Sequence, residues 1–242
     1  MTAPTLDKRE VRIQRMFGQI APWYDFLNHL LSLNIDRSWR KKTARMVAPV
    51  AGAGPILDLC TGTGDLALTY DRAASGSAII GADFCHEMLV RAAAKAAKVG
   101  SSQRVRFVEA DAQQLPFPSN VFQIVSVAFG LRNVTDPDRG LAEMVRVAKP
   151  GGRVAVLEFS RPQGRILGPL YRWYFRSVLP RIGQIVSRDK ESAYRYLPES
   201  VMQFPDGEQL ADRLRAAGLV DVKYDPFTFG IATLYVGVKP NC

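Results

Sequence analysis

Asp58 stands four residues before the turn Gly62-Thr-Gly64, Asp83 follows Gly62 by 21 residues, and Asp111 closes a third β-like run. Gly62 and Gly64 let the backbone turn tightly and approach a ligand with no Cβ in the way. With Ala67 the run also satisfies G-x-G-x-x-A, the dinucleotide fingerprint, so the turn alone leaves two ligand classes open. The acids separate them. A carboxylate at Asp83 can accept both hydroxyls of an adenosine ribose, and Asp111, with the Ala112 backbone alongside, is placed to meet an adenine amino group. Asp58 would repel the diphosphate of a dinucleotide but suits a sulfonium ligand that carries an ammonium group. The set points to S-adenosylmethionine rather than a nicotinamide dinucleotide. Phe84 fits equally as a platform for adenine or as a residue packing on the sheet.

These residues need strand ends to hold them. Residues 55–60, 78–82, 105–108, 121–128 and 154–157 read as strands, alternating with helical patterns such as 86–98. Asp136-Pro137 supplies an N-cap and a proline at the first helical position, opening a helix to about Ala148 that Lys149-Pro-Gly-Gly152 stops. Strands alternating with helices form βαβ units, giving a doubly wound, mostly parallel sheet whose ligand lies at the carboxyl ends of its strands. The ending differs. Asp206-Gly-Glu-Gln209 has capping-box spacing and opens a helix to Ala217. Residues 220–224 and 228–238 then read as strands joined by Asp225-Pro-Phe227, a link too short for a parallel crossover, so the last pair is expected antiparallel.

The chain has 242 residues, 47% of them hydrophobic and 23% charged, enough apolar content for a sizeable core. It contains no apolar run long enough to span a bilayer, and the charged start MTAPTLDKREVRIQ does not suit a secretory signal. Cys60, Cys85 and Cys242 are odd in number and far apart, so neither a disulfide framework nor a zinc site is expected, and they read as buried thiols of a reducing cytoplasm. The net charge of +9 is unevenly spread. Residues 1–50 hold nine Lys/Arg against four Asp/Glu, residues 51–160 hold eleven of each, and residues 161–188 hold six Arg and no acid. The neutral body thus carries basic flanks suited to an anionic surface, phospholipid headgroups or nucleic acid.

The run Leu59-Cys-Thr-Gly-Thr-Gly-Asp65 resembles motif I of class I methyltransferases. Ala110-Asp-Ala112 with Leu115-Pro-Phe-Pro118, Phe129-Gly-Leu-Arg-Asn-Val134, Lys149-Pro-Gly-Gly152 with Leu157-Glu-Phe-Ser160, Val178-Leu-Pro-Arg-Ile-Gly183 and Tyr194-Arg-Tyr-Leu197 resemble the ubiquinone/menaquinone biosynthesis C-methyltransferases. The resemblance covers roughly residues 14–238, and F-G-L-R-N and Y-R-Y-L are its specific part. It implies a Rossmann-like α/β fold with a seven-stranded sheet, an antiparallel last strand and N-terminal helices. Residues 1–50 would form a helical cap over the active site, and residues 51–242 the S-adenosylmethionine-binding domain with a helical lid insertion at about 161–205. The implied reaction is C-methylation of demethylmenaquinol, a methoxy-polyprenyl-benzoquinol, or both. By position, the implied cofactor ligands are Thr63, Asp83, Asp111 and Ala112. Some members have a serine contact just before F-G-L-R-N, where this chain has Ala128.

Methyl transfer to a ring carbon needs the neighbouring phenol ionised, which costs roughly 4 kcal/mol at neutral pH from a reference pKa of about 10. A nearby cation lowers such a pKa by about 1–3 units. Arg132 is the candidate cation, Asn133 the candidate for holding the quinol oxygen or a water, and Tyr24 for orienting the water that takes the proton. No metal is required. Trp23 and Tyr24 read equally as packing residues, His29 as a satisfied helix residue, and His86 as a cap of the helix after Asp83. In 161–188 apolar residues recur at spacings of three and four with Arg165, Arg172 and Arg176 opposite, a pattern of a core-facing helix or of a lid toward anionic lipid. The expected partners are a polyprenyl quinol and the inner membrane surface, met by a peripherally bound cytoplasmic protein. A homodimer or a quinone-biosynthesis complex is compatible with the apolar face, and no nucleic-acid partner is expected. Two other functions compete: an RNA methyltransferase, from the pI near 9.7, and a non-catalytic cofactor-holding scaffold.

Overall fold

A computed structural model describes residues 10–21, 24–25, 32, 34–73, 76–162 and 193–241. Trp23, His29 and the expected amphipathic segment 161–188, apart from Arg161 and Pro162, lie outside the described residues.

Seven strands form one sheet: β1 (Ile56–Leu59), β2 (Ile79–Asp83), β3 (Val105–Glu109), β4 (Phe122–Ala128), β5 (Ala148–Phe159), β6 (Val220–Phe227) and β7 (Ala232–Val238). Their order is β3-β2-β1-β4-β5-β7-β6, with every pairing among β1 to β5 parallel and β7 antiparallel to both β5 and β6. The chain moves outward from β1 through β2 to β3, then returns to place β4 on the other side of β1. That reversal opens a crevice at the carboxyl ends of β1 and β4.

The helices are α1 (Glu10–Ile20), α2 (Ile35–Met46), α3 (Asp65–Ala73), α4 (His86–Lys98), α5 (Pro137–Val147), α6 (Ala193–Gln203) and α7 (Glu208–Ala216). Leu57, Leu59, Val125 and Val127 point to one face, where Leu141 and Met144 of α5 and Leu210 and Leu214 of α7 cover them. Ile56 and Ile124 point to the other, under Trp39 of α2 and Leu66 and Tyr70 of α3. This two-sided cover follows from the alternation of side chains along each strand.

Local signals in the sequence are mostly realised. Asp136 caps α5, its Oδ1 accepting from the backbone N–H of Asp138 and Arg139 at 3.1 Å, with Pro137 at the first helical position. Two expectations require correction. Asp206 does not cap α7, because its carboxylate is occupied by the backbone N–H and guanidinium of Arg161; Gly207, at φ 57°, precedes the helix and donates to Tyr235 Oη instead. Asp225-Pro-Phe227 is not the final turn. Those residues pair with Leu234, Thr233 and Ala232, and the turn falls at Thr228–Gly230. β6 is an edge strand, where a proline lacking an N–H is tolerated.

Candidate active site

The crevice is a cavity open to solvent on one side. Its floor is the strand ends: Leu59, Cys60 and Gly62 after β1, Asp83 and Phe84 at β2, Ala110 to Gln113 after β3, and Ala128 to Gly130 after β4. Asn133, Val134 and Thr135 form one wall, and Ile13, Phe17 and Tyr24 close over it. The N-terminal segment is held there by packing. Ile13, Met16 and Ile20 cluster with Tyr196 of α6, and the Phe17 and Tyr24 rings meet edge to face at 6.0 Å.

The strand ends are tightly built. Cys60 and Phe129, which follow β1 and β4, both adopt positive φ (51° and 58°), a conformation that non-glycine residues reach at a cost. Gly130 lies directly against Cys60, and a Cβ there would overlap Cys60 Cβ. Burial, with Asp83 and Asp58 nearby, pushes the Cys60 thiol well above its ordinary pKa, so it lines the cavity as a neutral group.

Asp83 is the most constrained acid of the cavity. Its Oδ2 accepts from Gly62 N–H at 2.8 Å and its Oδ1 from Cys85 N–H at 2.9 Å. Burial lifts its pKa to about 6, with those backbone donors pulling the other way. Asp111 accepts from Gln113 N–H at 2.9 Å, and Gln113 Oε1 in turn accepts from Asp136 N–H, tying this strand end to the start of α5. Asn133 ends a single 3-10 turn, Leu131–Asn133, and lines the cavity wall; its Oδ1 is buried and accepts no hydrogen bond among the described residues.

Of the residues singled out in the sequence, Tyr24, Gly62, Asp83, Phe84, Asp111, Ala112 and Asn133 line this one cavity, as does Ala128. Four others sit behind it. Asp58 turns its oxygens inward to Thr61 Oγ1 (2.7 Å) and Ala67 N–H (3.1 Å), so it shapes the glycine turn from beneath; burial lifts its pKa to about 7. Thr63 faces away, its hydroxyl bound to Asp25 and 3.2 Å from Lys95 Nζ. Gly64, at φ 83°, packs against Phe107 and Ala92. Arg132 is buried in an ion pair with Glu158 at 2.8 Å, with its guanidinium also on Phe129 O and over the Phe159 ring. A cation so paired presents little net charge to the cavity.

Sequence reasoning passed over the partners that impose these orientations. In the sequence Glu158 reads only as part of L-E-F-S, although a buried acid on β5 beside the β4 end is the natural counter-ion for Arg132. Lys95 binds Asp25 (2.9 Å) and Asp65 (2.5 Å), fastening the segment that carries Tyr24 to the start of α3. Ile13 and Phe17 were hidden in an unremarkable helix. His86 does not cap α4; it is the first residue of that helix, and its Nδ1 lies 3.2 Å from Glu109. Among the described residues no cluster of His, Cys, Asp and Glu could hold a metal ion.

A sequence profile of the ubiE/COQ5 methyltransferase family matches residues 5–239. The chain is 43% identical over 240 residues to the ubiquinone/menaquinone biosynthesis C-methyltransferase UbiE of Geobacter sulfurreducens, covering 99% of this chain and 93% of that one. It is 48% identical over 225 residues to the demethylmenaquinone methyltransferase of Thermus thermophilus, covering 93% and 100%. Solved structures share the fold at low identity. The [4+2]-cyclase SpnF aligns at TM-score 0.70 and 19% identity over 94% of this chain and 95% of its own. A SAM-dependent methyltransferase from Thermotoga maritima aligns at TM-score 0.68 and 19% identity, over 94% and 99%.

Proposed function

The chain belongs to the ubiE/COQ5 methyltransferase family, and we infer that it methylates a ring carbon of a polyprenylated quinol in menaquinone or ubiquinone biosynthesis, with S-adenosylmethionine as donor. The observation that carries this reading is the cavity itself, where buried Asp83 and exposed Asp111 stand at neighbouring strand ends and Asn133, whose amide oxygen is unpartnered, stands on the wall beyond β4.

The residues fit the donor. Each Asp83 oxygen accepts one backbone N–H, which leaves acceptor capacity for the two ribose hydroxyls. Asp111 and the Ala112 backbone take the adenine edge, and Phe84 and Val134 supply apolar walls. When bound, S-adenosylmethionine supplies a methyl group on a positively charged sulfur, which needs no further activation. Gly62 allows close approach at the turn that Asp58, Thr63 and Gly64 shape from behind.

The remaining work is on the acceptor. Asn133 accepts a hydrogen bond from the quinol hydroxyl and so fixes the ring. Arg132 acts as a positioning residue: its pairing with Glu158 anchors the 3-10 turn that carries Asn133. Tyr24 orients the water that takes the phenolic proton. In this reading residues 1–50 are the cap over the site, and residues 51–242 the cofactor domain with an insertion at about 161–205. The apolar acceptor resides in lipid, so the protein meets it by peripheral contact with a membrane. Among the described residues no helix is long and apolar enough to cross one.

The test is to incubate purified protein and methyl-labelled S-adenosylmethionine with either a lipid extract of cells that accumulate the unmethylated quinone or total RNA. Label in the quinone fraction is expected. Label only in RNA would overturn the reading.

A further inference from the structure

The solvent face of α2 carries four cations and no acid. Arg37, Lys41, Lys42 and Arg45 are exposed, while Asp36, the one acid of that helix, is buried against Arg40. Arg37 and Lys41 continue into a groove that Arg72, Lys95 and Lys98 also line, together with Asp25 and Asp65. Against this helix stands the β6–β7 turn. Trp39 Nε1 donates to Thr228 Oγ1 at 2.8 Å, and Lys42 Nζ lies 4.1 Å from the centre of the Phe227 ring.

The tip of that turn is Phe229, 76% exposed, the most exposed of the large apolar side chains among the described residues. Thr228, Phe229 and Gly230 have successive positive φ values of 45°, 57° and 85°. A bulky residue adopts such a backbone at a cost, and here it gains no burial in return. Among the described residues, the Phe229 ring is therefore left to solvent rather than packed. Behind the same face, Trp39 packs on Phe129 at 5.9 Å, and Phe129 lines the cavity.

We propose that α2 and the Phe229 turn form the face that docks on an anionic bilayer, with Phe229 entering the headgroup boundary and Arg37, Lys41 and Arg45 seated on lipid phosphates. The inference rests on the membrane contact proposed above and assigns it a surface. An aromatic tip rimmed by cations is the combination that interfacial binding uses. Charge complementarity selects the occupant: a face of four cations suits a negative surface, and a neutral one gains nothing from it. The orientation brings the greasy acceptor to the side of the protein where Trp39 packs on Phe129, a residue of the cavity lining. Ser160 Oγ donates to Gly230 O at 2.8 Å and fastens the end of β5 to the turn.

The test measures co-sedimentation of the full chain with phosphatidylcholine vesicles, with and without phosphatidylglycerol. Binding is expected only with phosphatidylglycerol. Each cation removed in Arg37→Gln/Lys41→Gln/Arg45→Gln lowers partitioning by about fivefold, so the triple variant loses roughly 100-fold. Phe229→Asn, which suits the left-handed backbone, loses about tenfold. Both variants methylate a short-tailed, water-soluble quinol at the wild-type rate. Unchanged vesicle binding by both variants overturns the proposal, as does a dimer that Phe229→Asn dissociates. Methyl transfer to the soluble quinol by a wild-type protein that ignores vesicles overturns this face and leaves the reaction standing. Vesicle binding lost in the variants, with no methyl transfer to any quinol by the wild type, does the reverse.

Discussion

Cofactor affinity should follow the ionisation of Asp83. Burial lifts this carboxyl from its ordinary 3.8 to about 6 in the ligand-free protein. Two ribose hydroxyls donating to it favour the ionised form, so binding expels its proton wherever the free protein holds one. From about pH 7 to about pH 5 the ionised fraction falls about tenfold, and the dissociation constant for S-adenosylmethionine should rise by about the same factor. Asp83→Asn keeps the shape and removes the charge. The loss of two charge-assisted hydrogen bonds, partly replaced by neutral ones, is worth about 2–4 kcal/mol, or roughly 30- to 1,000-fold in affinity. The variant should also lose the pH dependence. The elevated pKa has an opposite consequence for the empty fold. A pKa raised on folding gives stability that is fully present below 3.8 and lost as pH rises through about 6, a difference of about 3 kcal/mol. Isothermal titration calorimetry across this range, on both proteins, checks the affinities. A wild-type dissociation constant that stays flat, or an Asp83→Asn protein that binds as tightly as wild type, would refute the assignment.

Three further outcomes follow from named contacts. Glu158→Gln leaves the Arg132 charge buried without its partner and should cost about 3–5 kcal/mol in chemical denaturation; adding Arg132→Met should restore part of the loss. Gly130→Ala drives a methyl group into Cys60, so the melting temperature should fall with a cost of about 1–3 kcal/mol. Asn133→Ala should lower kcat on a soluble quinol by about tenfold, through one lost hydrogen bond, and leave the calorimetric affinity for S-adenosylmethionine unchanged.

The fold was legible in the sequence because its signals are local. The glycine turn after β1 and the Asp136-Pro137 cap each depend on a few adjacent residues. The strand-end acids Asp83 and Asp111 were legible for a related reason: a parallel sheet brings successive carboxyl ends to one edge whatever the helices between them do. What the sequence concealed is the direction of individual side chains where a distant partner decides it. Arg132 turns toward Glu158, 26 residues away, and Thr63 toward Asp25 and Lys95. Asp58 alternates with Leu57 and Leu59 across the strand, and its backbone donor at Ala67 becomes apparent only once α3 is placed. Asp206 lost its capping role to Arg161, 45 residues earlier. Asp225-Pro-Phe227 reads as a turn by composition, and only its place at the sheet edge lets it continue the strand.

A crystal structure with S-adenosylhomocysteine is the most direct examination of the whole account. The ribose hydroxyls should lie on the Asp83 carboxylate, the adenine between Asp111 and Phe84, and the sulfur on the side facing Asn133. A nucleoside seated anywhere else, with Asp83 still bound only to Gly62 and Cys85, would contradict it.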